Sequence, residues 1–449
     1  MGRQDTAEPY LPCVYKKDAE IPFAPDGNYP FISSSVIKVK GISGRFQGLK
    51  CVQKTIIDPT ETDEFLRGKK RRQLAQEAKI LHLARHHHVV QLIHTYFMDS
   101  TEDQIHFSIV MDRADANLHD YLKPKNPPKE RWFGCLVNAI SHIHLLGIRH
   151  RDVKPSNILI KGDKPLLADF GISQMGLGKT MPTTYEHRNA ARTREYCAPE
   201  VDRGSTRGRS ADIFSLGAVF LEMLLAYSYP DGFQELQRVL ESPSHNGASY
   251  AKHIDEVHAW IAKKVHLVGW QYEVLCLCKK MLHQDRLQRP DAANIELDIS
   301  SLLTTGESMA CRCAKSLALS ENDKLVVACR ERSEDAVKQA LNEGANPNAP
   351  SAIHFAAAAL QCASRSGSEP VVQFLLENGA DVNIKDENEQ TALHGASGQG
   401  HTRIVRMLLD SGADTEAEDL DGNIALDFAE RRHHCGVVSL LDSFFERND

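Results

Sequence analysis

One eight-residue run carries most of the chemical information in this chain: His150-Arg151-Asp152-Val153-Lys154-Pro155-Ser156-Asn157. A second run, Asp169-Phe170-Gly171, begins twelve residues after Asn157. Together they supply a carboxylate that can accept a proton, a lysine cation beside it, and an amide and a carboxylate of the kind that bind magnesium. Transfer of a phosphoryl group requires this set, because the reaction depends on positioning and charge neutralisation more than on covalent help from the protein.

The composition restricts the class of protein. The chain has 449 residues, of which 42% are hydrophobic, and a formal net charge of −7. This length suffices for two or three domains with packed cores. We expect no nucleic-acid partner, because no domain carries a large basic excess, and no membrane span, because no apolar run is long enough. The 11 cysteines are scattered and odd in number, which is typical of a chain in a reducing compartment, and we expect a cytoplasmic protein.

Two cysteine pairs and a histidine run raise the question of a metal site. Cys276-Leu277-Cys278 and Cys311-Arg312-Cys313 each offer half of a zinc site, but neither has a second pair at metal-ligand spacing. The run His86-His87-His88 lies in a predicted loop, where consecutive side chains point in different directions. The sequence alone therefore predicts no zinc site.

The N-terminal region carries two short targeting-like signals. Gly2 and Thr6 match the minimal N-myristoylation pattern, but the pattern is so permissive that we predict no acylation. The basic run from Arg67 to Arg72 is interpreted as the solvated start of a helix, with a nuclear-import patch as the alternative. The expected location is thus the cytoplasm, with the nucleus as the alternative.

The order of the predicted elements indicates two lobes. Residues 1–28 show no clear period and are expected to form a poorly ordered leader. Alternating, β-branched segments between Phe31 and Ile56 predict strands, whereas the chain from Asn117 to Leu303 is mostly helical in pattern. The sequence therefore predicts an α+β bilobal domain over residues 29–303, with a small β-rich lobe followed by a larger helical lobe.

Beyond a predicted linker at residues 304–320, the sequence repeats itself. Gly344-Ala345-Asn346, Gly379-Ala380-Asp381 and Gly412-Ala413-Asp414 recur at intervals of 35 and 33 residues. This period, with the opening Thr391-Ala392-Leu393-His394, resembles that of ankyrin repeats. The resemblance implies an all-α solenoid of about four helix-pair units over residues 321–449, and such arrays usually present a concave surface to a protein partner.

The opening of the second unit is degenerate in the sequence. We assign it to Ser351-Ala352-Ile353-His354 and expect a longer first helical region, from Ala356 to Ser366, than in the neighbouring unit. This departure from the repeat pattern predicts a projecting bulge.

The two lobes and the two runs make residues 29–303 resemble a eukaryotic-type serine/threonine protein kinase. With the repeats, the whole chain resembles the kinase–ankyrin proteins of filamentous fungi. The resemblance implies ATP and Mg²⁺ as cofactors and a protein hydroxyl as the acceptor. Lys154 lies two residues after Asp152, which is the form of this loop typical of serine/threonine kinases.

The resemblance also assigns the catalytic roles. Asp152 would accept the proton of the substrate hydroxyl, and Lys154 would lie against the moving phosphoryl group. Asn157 and Asp169 would bind two magnesium ions. Phe170 would pack with His150 under the regulatory helix.

The same resemblance identifies the nucleotide-binding residues. Lys54 would pair with the α- and β-phosphates and with Glu77 of the following helix, although an exposed Glu77 paired with its helix neighbours is the alternative. Met111 would be the gatekeeper residue behind the adenine. Asp112 and Ala114 would offer their backbone groups to the adenine edge.

Structural and regulatory roles follow for the helical lobe. Asp212 would hold the backbone of the catalytic loop, and Glu200 would form a buried pair with Arg289. Arg151 would await a phosphate that orders the activation segment. We predict phosphorylation in this segment at one of three threonines and a further threonine that bridges Asp152 and Lys154; these are Thr180, Thr183 and Thr184, and Thr193, respectively.

The glycine-rich loop of the family is missing. By the family's spacing from Lys54, this loop would run from Ile32 to Val39, and both of these residues are expected to contact the nucleotide. Of the residues that define the pattern, only Val39 matches. Serines occupy positions where glycines would let backbone amides approach the phosphates. The first reading is an active kinase with a weaker phosphate grip. The alternatives are a pseudokinase scaffold and an ankyrin adaptor with vestigial lobes.

Overall fold

The structure is a computed structural model, and two compact units make up the chain, Met1–Ser316 and Leu317–Asp449. The residues it describes are 12–27, 35–59, 64–98, 104–122, 127–170, 174–175, 195–204, 208–229, 232–241, 248–265, 267–304, 307–311, 313, 320–351, 358–386 and 388–448.

A mixed β-sheet forms the first lobe of the first unit. In the described part of the chain this sheet has six strands in the order β1-β5-β6-β4-β3-β2. The strands are β1 (Cys13–Tyr15), β2 (Phe23–Pro25), β3 (Val36–Gly41), β4 (Lys50–Pro59), β5 (Leu92–Met98) and β6 (Gln104–Asp112). The strands predicted between Phe31 and Ile56 are therefore confirmed, in the described residues, as β3 and β4.

The pairing of β4 with β6 sets the geometry of the lobe. The two strands run antiparallel from Cys51 opposite Asp112 to Pro59 opposite Gln104. Residues that face each other across an antiparallel pair point to the same side of the sheet. Lys54, opposite Ile109, therefore lies in the middle of a strand that is paired on both sides.

The predicted leader is partly wrong, because β1 and β2 lie within residues 1–28 and complete both edges of the sheet. Phe23 is 7% exposed and packs against Phe46 with ring centroids 4.8 Å apart. The Tyr15 hydroxyl lies 3.2 Å from His94 Nε2. Strands of three residues are too short to show a period in sequence, but their aromatic side chains bury apolar surface against the sheet.

The second lobe is mostly helical. The helices of the first unit in the described residues are α1 (Glu64–Leu83), α2 (Leu118–Leu122), α3 (Arg131–Leu145), α4 (Pro199–Asp202), α5 (Arg209–Ser228), α6 (Gly232–Leu240), α7 (Ile254–Lys264), α8 (Trp270–Met281) and α9 (Ala292–Ser301). The short strands are β7 (Ala116–Asn117), β8 (Ile148–Arg149), β9 (Ile158–Lys161), β10 (Lys164–Leu167), β11 (Gln174–Met175), β12 (Leu303–Thr304) and β13 (Glu307–Ser308). Strands followed by helices confirm the predicted bilobal α+β class.

Helix α5 forms the core of the second lobe. Among the described residues it is the one helix long and apolar enough to span a membrane, but 78% of its apolar window is buried inside the fold. That burial is typical of the central helix of a globular lobe.

The predicted linker does not begin directly after α9. Strands β12 and β13 pair antiparallel, and the backbone amide of Met309 donates to Leu302 O at 3.0 Å. The Met309 side chain is 1% exposed. Residues up to at least 309 therefore pack as part of the first unit.

The second unit consists of helix pairs at the predicted spacing. Its helices in the described residues are α10 (Glu321–Glu331), α11 (Glu334–Asn342), α12 (Ala359–Ser366), α13 (Glu369–Glu377), α14 (Ala392–Gln399), α15 (Thr402–Asp410), α16 (Ala425–Glu430) and α17 (Cys435–Asn448). Gly344, Gly379 and Gly412 have positive φ of 96°, 80° and 83°, which explains why the repeated tripeptide begins with glycine just after the second helix of a pair.

The structure corrects the predicted opening of the second helix-pair repeat within this unit. Gln361 Oε1 accepts from the backbone amide of Ala358 at 2.5 Å, as His394 Nδ1 accepts from that of Thr391 at 3.1 Å. The opening is therefore at residues 358–361, one 33-residue period before 391–394, and not at Ser351. Helix α12 has 8 residues, the same number as α14. The first helix of the second repeat is therefore not longer than that of the next repeat, and the additional residues of the second repeat precede α12 in the sequence.

Candidate active site

Asp212 organises the loop that contains Asp152. Its side chain, in the first turn of α5 and 1% exposed, accepts from the backbone amides of His150 at 2.9 Å and Arg151 at 2.7 Å. A third bond comes from His144 Nε2 at 3.0 Å. Burial raises the pKa of Asp212, but His144 and these amides outweigh it and hold the pKa below its usual value. The carboxylate thus remains charged and fixes the loop, the role that the sequence predicts; the His144 contact was not predicted.

The backbone at Arg151 is strained. Its φ is 72°, a left-handed conformation that non-glycine residues rarely adopt and that persists where surrounding bonds impose it. The bond from its amide to Asp212 supplies that constraint, and the turn it forms directly precedes Asp152.

The Asp152 carboxylate lies between two partners. Lys154 Nζ is 2.6 Å from Asp152 Oδ2, and Asn157 Nδ2 donates to both the backbone oxygen and Oδ2 of Asp152 at 2.9 Å. Both atoms are acceptors, so the Asn157 amide nitrogen must face Asp152. Its Oδ1 therefore remains available as an oxygen ligand.

His150 connects this loop to the run that begins at Asp169. The ring is buried, and its Nε2–H donates to Ala168 O at 2.9 Å. Burial lowers the pKa of His150, so the ring is neutral. Phe170, 2% exposed, packs edge-on against it with centroids 4.8 Å apart. The predicted Phe170–His150 contact is therefore present.

Asp169 faces Lys54 across the cleft. Lys54 Nζ lies 2.9 Å from Asp169 Oδ1, and the two side chains are 23% and 44% exposed. Desolvation opposes ionisation of Asp169, but the charge and hydrogen bond of Lys54 lower its pKa below the usual value. The carboxylate thus offers oxygens toward the open cleft, and together with Asn157 it forms a donor set that suits Mg²⁺. Glu77 lies on α1, but its side chain falls outside the described residues.

The hinge, residues 112–114, begins at the last residue of β6. Met111 lies opposite Val52, and the Asp112 amide donates to Gln91 O at 3.0 Å. The Asp112 carboxylate is bonded to Lys161 of β9, which ties the hinge to the second lobe. Ala114 is half-buried in the same segment.

The prediction that Val39 contacts the nucleotide is wrong. It lies opposite Cys51 and is 1% exposed in a cluster with Phe23. Lys54 and Val52 belong to the other face, because side chains alternate along a strand. The family's spacing from Lys54 assigns Val39 to the wrong face of the sheet, because a shift of one residue along a strand moves its side chain to the opposite face. Ile32 lies outside the described residues.

Glu200 and Arg289 form the predicted pair. The guanidinium Nη1 and Nη2 donate to Oε1 and Oε2 of Glu200, each at 2.8 Å. Arg289 also lies over the ring of Phe214, 4.9 Å from its centroid. The predicted phosphorylation sites Thr180, Thr183 and Thr184, together with Thr193, lie outside the described residues.

A buried glutamate, Glu222, that contacts Tyr196 and Tyr250 was not identified from the sequence. Glu222 of α5 is 1% exposed and accepts from Tyr196 Oη at 2.9 Å and Tyr250 Oη at 3.1 Å. Burial, and then the charge of Glu195, raise its pKa to about 8. A single glutamate in an apolar helical pattern gave no signal of these partners.

Comparison with known proteins agrees with this architecture. A family model described as protein kinase domain matches residues 33–297, more than half of the chain. A model described as ankyrin repeats (3 copies) matches 300–386, 325–419 and 360–446.

Curated relatives are protein kinases, each similar over part of this chain. The serine/threonine-protein kinase crk1 of Schizosaccharomyces pombe is 32% identical over 171 residues, which cover 36% of this chain and 48% of that protein. The stress-activated protein kinase jnk-1 of Caenorhabditis elegans is 27% identical, covering 44% of each chain. The stress-activated protein kinase JNK of Drosophila melanogaster is 25% identical over 54% of this chain and 68% of that protein. The chain thus spans about half the length of the first two relatives.

Proposed function

Because this chain belongs to the protein kinase family, we propose that it transfers the γ-phosphoryl group of ATP to serine or threonine hydroxyls of protein substrates. The observation that carries the proposal is the set of contacts around Asp152, to Lys154 at 2.6 Å and to Asn157 at 2.9 Å. A vestigial site has no need to keep a proton acceptor, a cation and an amide in such mutual contact.

The chemistry assigns a step to each group. Asp152 orients the substrate hydroxyl and accepts its proton as the oxygen attacks the γ-phosphorus. Lys154, beside the same carboxylate, offsets the negative charge of the phosphoryl group as it moves. Lys54 binds the phosphates of the nucleotide from the sheet above.

Two buried side chains, Asp212 and His150, keep these groups in position. Asp212 holds the backbone of the catalytic loop through two amides, and neutral His150 joins that loop to Ala168, next to Asp169. Asn157 and Asp169 would hold Mg²⁺, which supplies neutralisation of the phosphate charges when bound.

The serines at positions 33–35 bear on how tightly the phosphates are held. Without glycines, fewer backbone amides approach the phosphates, so affinity depends more on Lys54 and Asp169. The same observation favours the second candidate, a pseudokinase that acts as a scaffold.

The repeats would recruit the partner or substrate. Helix-pair arrays bury a continuous core between units and leave one face for recognition, and in this unit the buried residues run from Leu325 to Leu441. We place the protein in the cytoplasm, with the nucleus as the alternative, on the basis of cysteine usage and the basic run at 67–72.

A paired measurement distinguishes the two candidates. The full chain is assayed for magnesium-dependent ATP binding by thermal shift and for transfer with labelled ATP to itself and to peptide arrays. For Asp152→Asn we expect transfer to fall by about a hundredfold or more, with ATP binding retained. Asp298→Asn, an exposed aspartate on α9, is the matched control. Nucleotide binding without transfer in the wild type would support the scaffold and refute the enzyme.

A further inference from the structure

Four potential metal ligands from distant parts of the sequence meet in the first unit. They are His88, Cys135, Cys311 and Cys313, and their ligand atoms all lie within 4.8 Å of one another. They come from the loop after α1, from α3 and from the segment after β13. The pair Cys311-x-Cys313, which has no partner pair in sequence, thus acquires two further ligands in the fold.

His88 is oriented for binding. Its Nδ1 lies 2.9 Å from Pro165 O, and because a carbonyl can only accept, Nδ1 carries the proton. Nε2 then presents its lone pair to Cys311 Sγ at 3.2 Å and Cys313 Sγ at 3.0 Å. A ring whose second nitrogen is held by a carbonyl is the usual state of a zinc-bound histidine. The ring is 0% exposed.

The segment that carries the two cysteines is built to reach α3. A Cβ on Gly134 would lie 2.1 Å from Met309 O and 3.1 Å from the Cys311 amide, so any larger residue would push the segment away. Gly134 directly precedes Cys135, which is 4% exposed. The close approach of the two backbones is therefore located at the ligand cluster.

We propose that His88, Cys135, Cys311 and Cys313 bind a structural zinc ion. Three thiolates and one imidazole are a closed tetrahedral set, typical of structural zinc sites. With bonds of about 2.3 Å to sulfur and 2.0 Å to nitrogen, the edges of such a tetrahedron are about 3.5–3.8 Å. The ligand atoms, which lie within 4.8 Å of one another, therefore need to move by about 1 Å or less relative to one another to accept the ion.

Charge and protons balance in this step. Each cysteine gives up its thiol proton to solvent and donates a sulfur electron pair to the cation, and neutral His88 donates through Nε2. Three thiolates and Zn²⁺ leave one net negative charge. Arg131 and Lys164 are close enough to act electrostatically on Cys313 and partly offset it.

The site would connect the end of the kinase domain to its catalytic centre. The His88 carbonyl accepts from the Leu167 amide at 2.8 Å, and Leu167 lies two residues before Asp169. Zinc would hold the segment after β13 against α3 and, through His88, against β10, which ends at Leu167. Because the ligands are far apart in sequence, the binding free energy would contribute to the folding of the first unit.

Metal content tests the proposal directly. The full chain, purified with a thiol reductant from zinc-supplemented cells, is analysed by inductively coupled plasma mass spectrometry. We expect one zinc ion per chain, and a weakening of zinc affinity by more than about tenfold in Cys313→Ser, whose side chain is only partly buried. Cys276→Ser, from the other Cys-x-Cys pair, is the matched control and should retain full occupancy.

Two further measurements cover variants that fail to fold. Replacement of zinc by Co²⁺ in the wild type should produce the visible bands of tetrahedral cobalt with thiolate charge-transfer absorption, and a strong chelator should lower the melting temperature. Wild-type protein without metal, or zinc retained in both Cys311→Ser and Cys313→Ser, would overturn the proposal. So would a disulfide between any two of the three cysteines, detected by mass spectrometry after alkylation.

Discussion

Arg289 and Glu200 form a two-point ion pair, with both nitrogen–oxygen distances at 2.8 Å. The Arg289 side chain is fully buried, and it also donates to the backbone oxygens of His283 at 2.7 Å, Ser210 at 3.0 Å and Gln284 at 3.1 Å. The pair therefore joins the end of the activation segment to the loop before α9.

Removal of one partner should destabilise the first unit. In Arg289→Ala the Glu200 carboxylate loses its partner and three carbonyls lose a donor, so we expect unfolding free energy to fall by about 3–5 kcal/mol. All three tryptophans, Trp132, Trp260 and Trp270, lie in this unit, so denaturation followed by tryptophan fluorescence reports on it alone. Arg286→Ala, at an exposed position, is the control. A change below about 1 kcal/mol in Arg289→Ala would contradict the role.

The strands at the edges of the sheet make a second prediction. Phe23 on β2 is buried against Phe46, whereas Val14 on β1 is 49% exposed. We expect Phe23→Ala to cost about 3 kcal/mol because it leaves a cavity in the sheet cluster, and Val14→Ala to cost less than about 0.5 kcal/mol. The same fluorescence measurement checks both. Equal stability of the two variants would indicate that residues 12–27 do not belong to the folded core.

The sequence predicts most of what depends on local spacing. Asp152, Lys154 and Asn157 lie within six residues of one another, so their contact follows from the loop itself. Partners held by family spacing, such as Glu200 and Arg289, were also predictable once the resemblance was recognised.

Features that depend on register or on distant segments were not predictable. Val39 was assigned to the wrong face because the length of the β3–β4 turn sets the pairing, and one residue reverses it. The approach of Cys311 to Cys135 joins segments 176 residues apart in sequence, for which no period or motif gives a signal. The same reason applies to Glu222 and Tyr250.

Glu222 predicts a pH dependence. Its pKa is raised from 4.5 to about 8, so the folded state keeps a proton that the unfolded state loses. This contribution to stability is fully present below pH 4.5 and is lost as pH rises toward about 8. Since one pKa unit is worth about 1.4 kcal/mol, the total is about 5 kcal/mol.

Comparison with Glu222→Gln isolates this effect. The neutral amide keeps an oxygen for Tyr196 and Tyr250 but does not titrate, so the wild type should lose stability relative to the variant between pH values of about 5 and 8. Tryptophan fluorescence in denaturant at several pH values measures the difference. A constant difference over this range would show that Glu222 does not titrate with a raised pKa.

His394 and Gln361 make a matched pair in the repeats. His394 Nε2 bonds to Asn423 O of the following unit at 3.1 Å, and Gln361 Nε2 bonds to Ile384 O at 2.9 Å and to Gln390 O at 2.7 Å. Each side chain also accepts from the amide three residues earlier. The two residue types thus perform the same bridging task one period apart.

This equivalence gives a prediction for His394, in the unit Leu317–Asp449. Burial lowers the pKa of His394, so the ring bridges as a neutral group, and an amide of similar reach can replace it. We expect His394→Ala to lower the unfolding free energy by about 1–3 kcal/mol, because buried donors and acceptors lose their partner, and His394→Gln to recover most of the loss. Since the unit has no tryptophan, urea unfolding is followed by far-ultraviolet circular dichroism. If alanine and glutamine variants are equally unstable, ring packing against Phe428, with centroids 5.4 Å apart, and not the hydrogen-bonded bridge, is what His394 contributes.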